Sequence, residues 1–133
     1  MKLYLDPSAI VKLVQTEAET NALRRYLRRH RADQFVTSAL SRVEVVRAVL
    51  LGGSRAIEQA RRQLSRLDQI VLGSALLDRA ATLSPEAHLR SLDSIHLAAA
   101  QVIGPELRAV VTYDARMVEA AENIGMTVVA PAQ

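Results

Sequence analysis

The sequence contains no cysteine and no tryptophan. Without cysteine there are no disulfides and no thiolate-ligated metal sites. The aromatic residues are Tyr4, Tyr26, Phe35 and Tyr113 alone, so the core must be aliphatic, built from Leu, Val, Ile and Ala. Lysine is scarce: Lys2 and Lys12 stand against 15 arginines. No uncharged apolar run approaches the ~20 residues needed to cross a bilayer. The first apolar run, Leu3-Tyr4-Leu5, is cut off by Asp6, too early for a secretory signal. A soluble, cytoplasmic protein with no membrane partner is expected. There is no glycine-rich dinucleotide loop and no phosphate loop ending in Gly-Lys-Ser/Thr, which removes the usual nucleotide signatures. No Gly-x-Ser-x-Gly elbow is present, which argues against a serine hydrolase. His88 and His96 stand alone, without a zinc-ligand pattern around them.

What remains is informative. Half of the 133 residues are hydrophobic, enough for one domain, residues 1–133, with an apolar core. The net charge is only +3, but it is carried almost entirely by arginine. Arginine forks onto phosphates and stacks on bases. That suits a nucleic-acid substrate, and it equally suits a compositional bias toward arginine.

Short apolar stretches alternate with helical patterns along the chain. Strands are expected at Leu3–Leu5, Gln34–Thr37, Ile70–Leu72, Arg108–Thr112 and Thr127–Val129. Helices are expected at Pro7–Gln15, Glu17–Arg31, Ser38–Leu51, Arg55–Leu67, Ser74–Leu83, Ser91–Ile103 and Asp114–Asn123, with a restart at Ser84-Pro85-Glu86. In the third helix Leu40, Val43, Val46, Val49 and Leu50 are expected to face inward. Gly52-Gly53-Ser54 reads as a turn with a fresh cap. Strands alternating with helices predict an α/β fold: a short parallel five-stranded sheet flanked by about seven helices.

Most of the 14 acids sit on polar helix faces or at helix starts. Four do not. Asp6 follows the first strand, and Asp114 follows the fourth. Glu44 lies between Val43 and Val45-Val46, and Asp93 lies in the first turn of the Ala-rich helix. Each has an ordinary explanation. Asp6 and Asp114 can cap helices, Asp93 can stabilise a helix N-terminus, and Glu44 can pair with Arg42 or Arg47. Together they fit a convergent carboxylate pocket. Carboxylates held close repel unless a cation joins them. Oxygen-only ligation favours Mg²⁺ or Mn²⁺, and the matching reaction is metal-assisted phosphodiester hydrolysis.

Four stretches carry a resemblance over essentially the whole chain. They are Tyr4-Leu5-Asp6-Pro7-Ser8-Ala9, Thr37-Ser38 with Arg42-Val43-Glu44-Val45, Leu89-Arg90-Ser91-Leu92-Asp93-Ser94-Ile95-His96-Leu97-Ala98-Ala99-Ala100, and Thr112-Tyr113-Asp114. The chain resembles the PIN-domain ribonucleases, and among them the VapC-type toxins of toxin–antitoxin pairs. The resemblance implies a PIN-like fold with Asp6, Glu44, Asp93 and Asp114 as catalytic and metal-binding acids. It implies Ser8 and Thr112 as hydrogen-bonding supports, and Mg²⁺ or Mn²⁺ as the cofactor. It also implies RNA as substrate, a homodimer, a cognate VapB-type antitoxin and a higher toxin–antitoxin assembly. Where some PIN domains carry a further acid, this chain has Arg116, which puts a second metal in doubt. Arg116 and Arg90 are candidates for RNA contact, and His96 reads as structural. Two alternatives stand beside the enzyme: a catalytically weak PIN domain that binds RNA or a partner, and a receiver-like signalling module. The latter is opposed by Gly73 after the third strand and by the lack of lysine beyond Lys12. The run Arg24-Arg25-Tyr26-Leu27-Arg28-Arg29-His30-Arg31 is either a solvated helix face or a surface that tracks phosphates.

Overall fold

The computed structural model describes residues 1–86 and 89–132. Its centre is β1 (Lys2–Leu5). Strands β2 (Gln34–Ser38), β3 (Asp68–Ile70), β4 (Leu107–Val111) and β5 (Val128–Val129) complete one parallel sheet in the order β3-β2-β1-β4-β5. Leu3, Tyr4 and Leu5 are all 0% exposed, as expected for a central parallel strand covered on both faces. Side chains alternate across the sheet. Leu3 and Leu5 join a core with Ile10, Leu23, Val45, Val49 and Leu64. Tyr4 points the other way, into a core with Leu76 and Ala98–Ala100.

Helices α1 (Pro7–Val14), α2 (Thr20–Arg29), α3 (Ser41–Val49) and α4 (Gly53–Ser65) supply the first layer. Helices α5 (Ser74–Ala81) and α6 (Ser91–Ile103) supply the second, and α7 (Ala115–Asn123) packs beside α6 through Leu97, Met117, Ala120 and Ala121. The Ala-rich run of α6 lets β2, β4 and α5 approach closely, and Ala98, Ala99 and Ala100 have no exposed surface. Helix α2 buries Leu23 and Leu27 and turns its arginines outward.

Several elements differ from the sequence expectation. Ser38 ends β2 and does not open a helix; α3 begins at Ser41. Its inward stripe is Ser41, Val45 and Val49, spaced four apart, while Val43 and Leu50 are 56% and 43% exposed. The run of valines is too apolar to mark one face, and packing against α1 and α4 selects it. Leu50–Gly52 forms a tight 3-10 turn, and Ser54 lies inside α4 without capping it. Strand β3 lies two residues earlier than expected. Val36 pairs with Asp68 and Ser38 with Ile70, which leaves Val71 80% exposed at the sheet edge. The helix restart at Ser84-Pro85-Glu86 is a turn instead, with Ser84 in the left-handed region at φ 49°. His88 lies outside the described residues. Among the described residues, no helix is long and apolar enough to cross a membrane.

Candidate active site

In this strand order, chain connections leave β1 toward β2 on one side and return to β4 on the other. The carboxyl ends of β1 and β4 therefore flank the point where the winding reverses, the usual ligand crevice of open α/β sheets. Asp6 stands at the end of β1, and Thr112-Tyr113-Asp114 follow β4. The Asp6 N–H donates to the Val111 carbonyl at 3.2 Å, which fixes the two strand ends side by side.

Asp6 does cap α1: its Oδ1 accepts from the Ala9 N–H at 3.1 Å. Pro7 at the first helical position needs no hydrogen-bond acceptor there. The same Oδ1 accepts from Ser8 Oγ at 2.6 Å, and Oδ2 accepts from Thr112 Oγ1 at 2.5 Å. The side chain is thus tied down at both oxygens rather than left free beside the helix. Ser8 in turn accepts from the Tyr113 N–H at 2.9 Å, and Thr112 Oγ1 accepts from the Asp114 N–H at 3.1 Å. The two hydroxyls brace Asp6 against the turn that carries Asp114. Asp6 is 3% exposed. Burial pushes its carboxyl above the ordinary value, against the opposing pull of the Ser8, Thr112 and Ala9 donors and of nearby His96.

Asp93 and Asp114 meet through an arginine. Arg90 Nε donates to Asp93 Oδ2 at 3.0 Å, and its Nη2 reaches Asp93 Oδ1 at 3.4 Å and Asp114 Oδ2 at 3.2 Å. Arg90 stands just before α6 and Asp93 lies in its first turn, three residues on. The other oxygen of Asp114 caps α7 by accepting from the Arg116 N–H at 2.9 Å. The Arg90 guanidinium is held in its charged form first by the Asp93 hydrogen bond and charge, and then by Asp114 and Glu44. Glu44 therefore shares this electrostatic neighbourhood.

Glu44 pairs with neither Arg42 nor Arg47. Its Oε1 lies 2.6 Å from His96 Nε2. His96 Nδ1 lies 2.7 Å from the Tyr4 hydroxyl and 3.5 Å from Ser38 Oγ. The His96 ring thus bridges the Tyr4 hydroxyl and the Glu44 carboxylate, one nitrogen facing each. His96 is 2% exposed and Tyr4 0%, and burial raises the Tyr4 pKa, so the phenol stays protonated. This Tyr4–His96–Glu44 line escaped the sequence reading, which saw His96 as structural. One signal was present: Asp93 and His96 are three apart on α6, so they share a face.

The acids thus form two linked groups. Asp6, Asp93 and Asp114 are joined through Thr112 and Arg90, and Glu44 is held by His96. Among the described residues, no three acid or histidine side chains stand close enough together to hold one ion. Arg90 takes that place between Asp93 and Asp114. The donor chemistry fits Mg²⁺ or Mn²⁺, being carboxylate oxygen throughout. The position between Asp93 and Asp114 also already accommodates a cationic group.

Comparison with known proteins gives the family. The PIN domain family model matches residues 3–123. "Ribonuclease VapC46" of Mycobacterium tuberculosis is 51% identical over 130 residues, covering 97% of each chain. "Ribonuclease VapC35" of the same species is 41% identical over 133 residues, covering 98% of each. Among solved structures, M. tuberculosis VapC20, a toxin described as cleaving the sarcin–ricin loop, superposes with a TM-score of 0.75 at 17% identity. That match covers 97% of this chain and 99% of the other. A toxin–antitoxin complex from Klebsiella pneumoniae gives 0.74 at 21% identity, covering 98% of both chains. The chain belongs to the PIN-domain family, in its VapC branch.

Proposed function

We propose that the chain is a divalent-cation-dependent endoribonuclease and the toxin of a type II toxin–antitoxin pair. What supports this most is one coincidence: relatives named as ribonucleases match nearly end to end, and the acids gather at the winding reversal of the sheet. Asp6, Asp93, Asp114 and Glu44 would hold Mg²⁺ or Mn²⁺. The bound ion would polarise the phosphodiester, acidify the attacking water and stabilise the leaving oxygen.

The remaining work falls to the chain's own groups. Ser8 and Thr112 fix the Asp6 rotamer, so that its carboxylate pays no reorganisation when a cation arrives. His96 fixes Glu44 in one orientation, and Tyr4 fixes the orientation of the His96 ring. The exposed arginines of α2 offer phosphate contacts along an RNA backbone. The partners are an RNA substrate, a cognate VapB-type antitoxin and a second copy of the chain, in the cytoplasm where RNA is met.

The test is cleavage of total RNA by the purified chain with Mn²⁺, with EDTA, and with Asp6→Asn. Cleavage is expected only by the parent with Mn²⁺. Equal cleavage by Asp6→Asn would overturn the assignment. Sequencing of the new 5′ ends then names the substrate.

A further inference from the structure

We propose that Arg90 is the site's own counter-ion, which exchanges places with the divalent cation and is thereby released to hold an RNA phosphate. This rests on the metal-dependent activity proposed above, and it adds a linkage between cation loading and substrate capture.

The geometry makes the two cations competitors. Arg90 occupies both oxygens of Asp93 and Oδ2 of Asp114. Asp114 Oδ1 already caps α7. An ion joining Asp93 to Asp114 needs the same oxygens that the guanidinium holds. The short Asp side chains stand on fixed backbone and cannot swing far: Asp93 sits in the first turn of α6, and Asp114 is fastened through its N–H and its cap. The arginine can. Its side chain is 63% exposed, against 10% for Asp93 and 26% for Asp114, so rotation carries the guanidinium straight into solvent.

The reason for such a residue lies in the electrostatics of the empty state. Asp93 and Asp114 repel when they share a site, and Glu44 adds to the field felt there. A resident guanidinium cancels that repulsion and holds the acids in place. Once a divalent ion takes over, Arg90 is repelled by the ion and has lost its acceptors. It then stands at the rim with a free fork, the shape that matches a phosphate. Binding of the ion and binding of the backbone phosphate should therefore strengthen one another, by equal factors in both directions.

The experiment titrates Mn²⁺ by calorimetry into the parent, Arg90→Gln and Arg90→Lys, with far-UV circular dichroism to verify folding. Loss of the competitor is expected to tighten Mn²⁺ binding by Arg90→Gln about 2- to 5-fold, the scale of one partly exposed ion pair. Mn²⁺ should also raise the melting temperature of Arg90→Gln more than that of the parent. Arg90→Lys keeps the charge but cannot span both acids, and should fall between the two. A mixed-sequence 2′-O-methyl oligoribonucleotide, which resists cleavage, then serves as the phosphate probe in fluorescence anisotropy. Mn²⁺ should strengthen its binding to the parent, and most of that gain should be missing in Arg90→Gln. Equal or weaker Mn²⁺ binding by the variants would overturn the exchange and leave Arg90 as a fixed organiser of the acids. Mn²⁺ uptake by none of the three proteins would overturn the metal-dependent activity as well. If Arg90→Gln does not fold, Arg90→Lys decides by the same measures.

Discussion

The sheet has an aspartate with a covered side chain at each end, and the two are built differently. At the amino end, Asp33 just precedes β2 and accepts both Nε and Nη2 of Arg108 from β4, with the N-terminal ammonium at 3.4 Å and His30 at 3.8 Å. At the carboxyl end, Asp6 accepts from two hydroxyls and one amide, all neutral. Both side chains are nearly inaccessible, Asp33 at 6% and the Asp6 residue at 3%. Yet the Arg108 hydrogen bonds hold the Asp33 carboxyl below the ordinary range, while burial lifts that of Asp6 above it. Accessible surface alone therefore does not decide what a carboxylate does. Asp33 has its formal charge matched at fixed geometry, so it fastens β2 to β4. Asp6 has only dipoles, so an added cation relieves more there than anywhere at the amino end.

The sharpest way to break this contrast is to neutralise each aspartate in turn. Asp6→Asn should lower RNA cleavage by about 100-fold or more, the scale of losing one preorganised electrostatic group. Asp33→Asn should leave cleavage nearly unchanged and lower the melting temperature by a few degrees. A gel assay beside circular dichroism reads both, and the contrast fails if the two variants lose cleavage alike. A smaller loss is expected from His96→Gln, about 10-fold in cleavage or in Mn²⁺ affinity, because Glu44 then loses its orienting partner. Restoration of the rate by a ring nitrogen alone, as in added imidazole, would identify orientation rather than packing as the cause.

The pH dependence of stability should separate the two ends further. The raised pKa of Asp6 means that the folded, cation-free protein holds a proton longer than the unfolded chain does. Its contribution is thus fully present below the ordinary Asp value of 3.8 and is lost as pH rises through the raised value. Asp33 runs the other way: its contribution is present above 3.8 and is lost as pH falls through its lowered value. Urea unfolding from about pH 3 to about pH 8 should show Asp6→Asn without the fall on the upper side and Asp33→Asn without the fall on the acid side. Excess Mn²⁺ should blunt the Asp6 fall in the parent. The smallest effect belongs to Arg116→Ala, expected within about twofold in cleavage, since Arg116 serves the site through its backbone N–H and surface substitutions away from special features cost little. A large loss there would mark its side chain as an RNA contact.

The parallel five-stranded sheet and its flanking helices are largely legible in the sequence, because a fully apolar β1 and an Ala-rich α6 need no tertiary context. Errors fell where local pattern is ambiguous. Four valines in α3 admit more than one buried face, and only its neighbours choose Val45 and Val49. The apolar run Ile70-Val71-Leu72 drew β3 too far along, since an edge strand pairs by register and not by its most apolar residues. Ser84-Pro85-Glu86 has the composition of a helix start and folds as a turn. At the site, strand-end position singles out Asp6 and Asp114, and the apolar residues around Asp93 and Glu44 single out those two. Their partners were hidden. Arg90 and Asp114 lie 24 residues apart, Glu44 and His96 lie 52 apart, and Tyr4 and His96 lie 92 apart. No periodicity spans such distances. Asp6 also combined two roles, cap and buried site acid, that sequence logic treats as rivals.

The bond from Thr112 to Asp6 joins residues 106 positions apart. During translation, β1 emerges first, yet the strand that completes its acid end is β4. Residues 107–114 must clear the ribosome's exit tunnel before Asp6 acquires its brace and Asp114 its place. No nascent fragment can carry an assembled site. Every fragment that ends before β4 lacks the hydroxyl that ties the second oxygen of Asp6.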